Sequence, residues 1–192
     1  MQNQKTIKNS ITFTGIGQHK GTLNTIQLFP ADVDSGIVFE IKGKKYPLNL
    51  NNVFGETGYT CIGEKDGVNV KTIEHLVSSI HGLGIDNLLI KTESEEIPIQ
   101  DGSAQPLLKE IEEKAGFLVQ NAPKKFIKIL KKIEYSDEKG TVSIEPNDKQ
   151  LLTLDVMIDY SGIKPIGIEH EVIDLTEENY KSKICMARTF AR

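Results

Sequence analysis

The chain has little cysteine, no long apolar run and no excess of positive charge. Its two cysteines, Cys61 and Cys185, sit in unrelated contexts and form no Cys-x-x-Cys pair. Two thiols cannot build a disulfide framework, so a reducing compartment is the simpler expectation. No apolar stretch is long enough to span a bilayer. The N-terminus, Met1-Gln2-Asn3-Gln4-Lys5-Thr6, lacks the apolar region of a signal peptide. These absences point to a soluble, cytoplasmic protein. A formal net charge of −4 argues against nucleic acid as the main partner. The one basic cluster, Lys124, Lys125, Lys128, Lys131 and Lys132, alternates with Phe126, Ile127, Ile129 and Leu130 and reads as a solvated strand face.

What is present is a run of short strands around two or three helices. Ile7–Thr14, Thr25–Phe29 and Gly36–Ile41 read as strands, the second ended by Pro30. Asn51–Gly58 reads as a loop. Thr60–Ile62 and Val68–Val70 read as short strands around a glycine turn. Thr72 is a candidate helix N-cap, because a hydroxyl can accept a free N–H of the first turn. Ile73, Leu76, Val77, Ile80 and Leu83 then recur at helical spacing, and Gly82 and Gly84 supply the stop. Asn87–Lys91 reads as a buried strand, Glu96–Ser103 as an extended piece ending in an Asp-Gly turn, and Pro106–Lys114 as a helix closed by Gly116. Asn121–Lys125 is the linker candidate. Beyond it come strands at Phe126–Tyr135, Thr141–Pro146, Leu151–Tyr160 and Ile166–Leu175, and a helix at Thr176–Ala187 opened by Asp174 or Thr176. The expected organisation is α+β, with a first domain over residues 1–120 and a second over 124–192.

The pair Glu74-His75 carries the most chemistry. Near a helix N-terminus the positive end of the dipole disfavours a proton on imidazole and leaves a nitrogen free for a cation. Adjacent helix residues diverge by roughly 100°. Glu74 and His75 therefore cannot comfortably chelate one ion, but they can flank a water held on it, one group holding and the other acting as base. An ordinary helix start is the plain alternative. His81, at the far end of the same helix, fits a capping or surface role. His170 and Asp174 have a spacing that binds metal on a helix, but on a strand they lie about 13 Å apart. The loop of Gly15, Gly17 and Gly21 could present N–H groups to phosphate, although glycine-rich turns after strands are common.

Four segments together resemble one family, the UDP-3-O-acyl-N-acetylglucosamine deacetylases, zinc hydrolases of lipid A synthesis. They are Thr14-Gly15-Ile16-Gly17-Gln18-His19-Lys20-Gly21; Thr72-Ile73-Glu74-His75-Leu76 continuing through Gly82-Leu83-Gly84-Ile85-Asp86-Asn87; Glu96-Ile97-Pro98-Ile99-Gln100-Asp101-Gly102-Ser103-Ala104; and Ala187-Arg188-Thr189-Phe190. The resemblance implies a two-domain α+β sandwich with helices packed between sheets. It implies hydrolysis of the 2-acetamido group of a nucleotide-sugar lipid precursor, with zinc as cofactor. By position it implies His75 as a zinc ligand, Glu74 as general base, Thr189 as a hydroxyl supporting the oxyanion, and His19 and Phe190 as substrate-binding residues. Asp101 falls in a motif near the site, though its Asp-Gly turn suits a structural role equally. The family's other two zinc ligands, a His-x-x-x-Asp motif, and its general-acid histidine come after the Ala-Arg-Thr-Phe segment. The expectation is therefore a second domain that is C-terminally incomplete, with a further segment or chain completing the site. The competing expectation is a non-catalytic α+β binding or regulatory module.

Overall fold

The computed structural model describes residues 2–163 and 166–188. It is α+β, and it divides into two compact units: residues 1–124 with 181–192, and residues 125–180.

The first unit is built on a five-stranded sheet. β1 (Asn3–Ile7) and β2 (Ile11–Ile16) are followed by β3 (Leu23–Pro30), β4 (Ile37–Ile41), β5 (Lys44–Pro47), β6 (Val53–Glu56), β7 (Tyr59–Gly63) and β8 (Asn69–Lys71). After helix α1 (Glu74–Gly82) come β9 (Leu88–Thr92), helix α2 (Gln105–Glu110), a π-helical turn (Ile111–Ala115) and β10 (Phe117–Pro123). The main sheet has the order β2-β3-β9-β4-β5, antiparallel except for the β4–β9 pair. Its register explains the core. Ile11, Leu28, Ile90, Phe39 and Tyr46 fall in one row across the strands, and all are buried. Side chains two apart share a face of the pleat, so Phe13, Ile26 and Ile41 form the next buried row. Each such side chain contributes about 1.5–3 kcal/mol when fully buried.

Helix α1 buries Leu76, Ser79, Ile80 and Gly82 and packs against α2. It ends as glycine endings do. Gly84 adopts φ +67°, and the N–H groups of Leu83, Gly84 and Ile85 bond back to Ser79, His81 and Ile80 at 3.0, 2.9 and 3.1 Å. The next two residues tie distant strands together. Asp86 accepts the Lys5 N–H at 2.8 Å. Asn87 donates to Gln4 and to Gln120, each at 2.7 Å, and accepts the Gly36 N–H at 2.9 Å. A three-stranded antiparallel sheet, β6-β7-β8, completes the unit. Cys61 and Cys185 are both buried and free, and burial pushes both thiols up.

Several expectations need correction here. The strand read as Ile7–Thr14 is two strands, because the chain turns between Ile7 and Ile11 to enter different sheets. The loop read as Asn51–Gly58 contains β6, paired to β7. The linker read as Asn121–Lys125 lies largely within β10, whose Val119 pairs with Lys5 and Pro123 with Asn3. Without that partner the N–H and C=O groups of β1 would lack a ladder. The helix from Pro106 starts one residue earlier and becomes π-helical at Ile111.

The second unit contains two antiparallel hairpins, β11 (Ile133–Asp137) with β12 (Gly140–Ile144), and β13 (Thr153–Tyr160) with β14 (Gly167–Asp174). No strand forms over 126–132. The helix expected over Thr176–Ala187 is α3 (Glu177–Asn179) running into a π-helical turn (Tyr180–Ile184). Thr176 caps it, its Oγ1 accepting the Asn179 N–H at 3.1 Å. His170 and Asp174 both lie on β14 and point to separate tasks. His170 Nε2 meets Asp155 Oδ1 at 2.8 Å, whereas Asp174 accepts from Lys149 and from Thr153 Oγ1 at 2.7 Å.

Candidate active site

The start of α1 differs from the expected cap. Ile73 is the N-cap, with no side-chain cap bond. Thr72 is left-handed at φ +60° and its hydroxyl donates to Glu96 Oε1 at 3.0 Å, so it is not free to cap. The Ile73 N–H bonds instead to the Thr60 carbonyl at 3.2 Å. Glu74 thus opens the helix, where a negative charge suits the dipole. Its Oε2 accepts the backbone N–H of Thr60 at 3.0 Å, which ties the carboxylate to β7. His75 follows, half-buried, and its carbonyl accepts from Ser79 Oγ at 2.9 Å. His81 is exposed in the last turn.

The glycine loop after β2 closes on itself. The Gly17 N–H bonds to the Thr22 carbonyl at 3.0 Å and the Gly21 N–H to the Gly17 carbonyl at 3.2 Å. Gly21 takes φ +62°, which glycine adopts without strain. At the tip, the His19 ring lies 4.4 Å from the Tyr59 ring, centroid to centroid, tilted by 56°. Tyr59 precedes the Thr60 that holds Glu74, so His19 and Glu74 are linked through one dipeptide of β7. Lys20 pairs with Glu95, which raises the lysine pKa and lowers that of the carboxyl.

The extended segment from Glu96 is stitched to both neighbours. On one side the Lys71 N–H meets the Glu95 carbonyl and the Ile97 N–H meets the Lys71 carbonyl, each at 3.0 Å. On the other the Ile99 N–H meets the Ile16 carbonyl at 3.0 Å. Glu96 is buried at 2% exposure. Both its oxygens accept the His19 N–H, at 3.1 and 3.2 Å. The segment ends in a turn in which Asp101 Oδ1 accepts from the Ser103 hydroxyl at 2.7 Å and the Ser103 N–H at 3.0 Å. Arg188 Nη2 donates to Asp101 Oδ2 at 3.0 Å. The Ser103 hydrogen bonds, with the Arg188 pair adding to them, hold the Asp101 carboxyl below its ordinary value.

The first two motif segments therefore meet the third through hydrogen bonds to Glu96, and Arg188 of the fourth reaches Asp101. Thr189 and Phe190 lie outside the described residues. Two contributors were missed by reading the sequence, Glu96 and Tyr59. The available signal for Glu96 was a carboxylate beginning an otherwise apolar run, Ile97-Pro98-Ile99. Among the described residues, no three His, Cys, Asp or Glu side chains come together to hold a metal ion. A catalytic zinc usually takes three protein ligands. His75 alone does not meet that need, so the described residues do not make a complete metal site.

A model of the family described as UDP-3-O-acyl N-acetylglycosamine deacetylase matches residues 4–192. A protein of Helicobacter hepaticus named UDP-3-O-acyl-N-acetylglucosamine deacetylase is 42% identical over 189 residues, covering 97% of this chain and 62% of its own length. Proteins of the same name from Pseudoalteromonas atlantica and Nautilia profundicola are 38% and 41% identical, covering 99% and 97% of this chain and 63% of their own lengths. The chain thus spans slightly less than two thirds of the length of these relatives.

Proposed function

The chain belongs to the UDP-3-O-acyl N-acetylglycosamine deacetylase family, and from that premise we propose that the protein of which it forms part removes the acetyl group of UDP-3-O-acyl-N-acetylglucosamine in lipid A synthesis. The reaction adds water to the amide carbonyl and breaks the C–N bond. Acetate leaves carrying the water oxygen, and the departing nitrogen gains the proton that the water gave up, which completes the sugar amine. Glu74 is the base that takes the proton from the attacking water. The observation that carries this role is the Thr60 N–H on Glu74 Oε2, which fixes one carboxylate oxygen at the opening of α1. His19 contacts substrate from the loop tip, and Phe190 and Thr189 are assigned to substrate and oxyanion on family position alone.

The family is zinc-dependent. We assign zinc as cofactor, with His75 one ligand and the others in the part of the family's length that this chain does not span. No helix of the described residues is long and apolar enough to cross a membrane. The proposed setting is the cytoplasm. The proposed domains are residues 1–120 and 124–192.

The test is acetate release from the nucleotide sugar by the complete protein, with Glu74→Gln beside it. The amide oxygen of glutamine can still accept the Thr60 N–H, so the fold is kept while the base is lost. A fall in kcat of about 10²–10⁴-fold is expected. No acetate from the zinc-loaded wild type would favour the non-catalytic module, whereas full activity in the variant would take the base role away from Glu74.

A further inference from the structure

We infer that Glu96 is a positioning residue, the buried carboxylate that locks the His19 loop to the start of α1. Burying a carboxylate is unfavourable unless hydrogen bonds replace its water. A well-packed apolar side chain often gives equal or better stability at such a place. Glu96 is nonetheless 2% exposed, so its value lies in what its oxygens hold.

They hold two segments, each bearing a residue of the proposed site. One is the loop tip, through the His19 N–H at 3.1 and 3.2 Å. The other is Thr72, through its hydroxyl at 3.0 Å, two residues before Glu74. Thr72 has φ +60°, an outlier for a β-branched residue. Such a conformation persists only when its surroundings over-determine it, and the bond to Glu96 is one of the restraints that do so. Gly17 makes room for the arrangement. A Cβ on it would lie 2.3 Å from Glu96 Oε2 and 2.5 Å from Asn24 Nδ2. The His19 Nε2 is 3.9 Å from Glu96 Oε1, beyond hydrogen-bond reach. Glu96 therefore fixes the backbone of His19 and leaves its ring against Tyr59, free to meet substrate.

This role rests on the proposed function in taking His19 and Glu74 as site residues, so its test has a readout that does not. Glu96→Gln, Thr72→Val and Thr72→Ser are made in the complete protein, with Glu95→Gln as the neighbouring control. Backbone hydrogen exchange at the His19 amide is measured beside kcat and KM for acetate release. Glu96→Gln and Thr72→Val are expected to speed His19 exchange and to lower kcat/KM about ten- to a hundredfold, the scale of small misplacements. Thr72→Ser, which keeps the hydroxyl, restores both. Glu95→Gln leaves kcat/KM within about twofold, as is usual for an exposed surface change. His19 exchange and kcat/KM unchanged in Glu96→Gln would overturn the assignment. So would a Thr72→Ser variant as impaired as Thr72→Val. If Glu96→Gln does not fold, the two Thr72 variants decide. If the wild type releases no acetate, the function reading fails by itself and His19 exchange alone decides the role of Glu96.

Discussion

The two units use the same local pattern and reach different ends. In the first, β3 alternates buried Asn24, Ile26 and Leu28 with exposed neighbours, and strands on both sides continue the buried rows. In the second, every residue of β11 and β12 is exposed, with Ile133, Tyr135, Val142 and Ile144 among them. Strands β13 and β14 likewise leave Val156, Met157, Ile168 and Val172 exposed. Period-two alternation therefore says which side chains share a face, but a core needs a further layer on that face. Isolated two-stranded hairpins are marginal in water for this reason.

The sharpest way to break the comparison is to delete equivalent apolar groups. Leu28→Ala, in the buried row of the first unit, is expected to cost about 2–5 kcal/mol in urea unfolding. Val156→Ala, on the exposed β13, should stay within about 0.5 kcal/mol. Equal costs would mean that the second unit is buried in solution.

A smaller effect concerns acid. The Asp101 carboxyl is held low mainly by Ser103, and the Asp174 carboxyl by Lys149 and Thr153. A lowered folded-state value stabilises above the ordinary carboxylate range, about pH 4, and that contribution is lost as pH falls through the lowered value. Asp101→Asn should flatten the acid limb of unfolding in the first unit, and Asp174→Asn should leave that limb unchanged. Thermal melts from pH 6 down to about 2.5 would show this.

The smallest effect should erase the difference. Lys114–Glu110 in the first unit and Lys132–Glu134 in the second are exposed ion pairs. Lys114→Ala and Lys132→Ala should each cost no more than about 0.5 kcal/mol, since surface pairs are screened wherever they sit. A clearly larger loss in either would mark a pair that solvent does not reach.

How much of this was legible depends on how local each cause is. The helix through Ile73, Leu76, Ile80 and Leu83 and its stop at Gly84 were legible, because turn spacing and glycine conformation act within a few residues. So was the core alternation of Ile26 and Leu28. β5 and β6 were not, being short pieces with exposed lysine, glycine and glutamate whose strand character comes from pairing. The start of the linker candidate was misread because β10 runs on to Pro123 and finds its partner at the N-terminus. At the site, Glu74 and His75 stood out as residue types suited to a helix start and to chemistry. The task of Thr72 did not, because its hydroxyl had a local role available and a distant one that prevailed.

By itself the sequence determined the strand and helix periods, the glycine turns and the motif residues His19, Glu74, His75 and Asp101, since these depend on near neighbours and residue chemistry. Only the tertiary structure decided that Glu96 would be buried under His19, that Tyr59 and Thr60 would join His19 to Glu74, and that Arg188 would reach Asp101. The reason is physical: a hydrogen bond or a desolvated charge is defined by the partner that arrives, and these partners arrive from far along the chain.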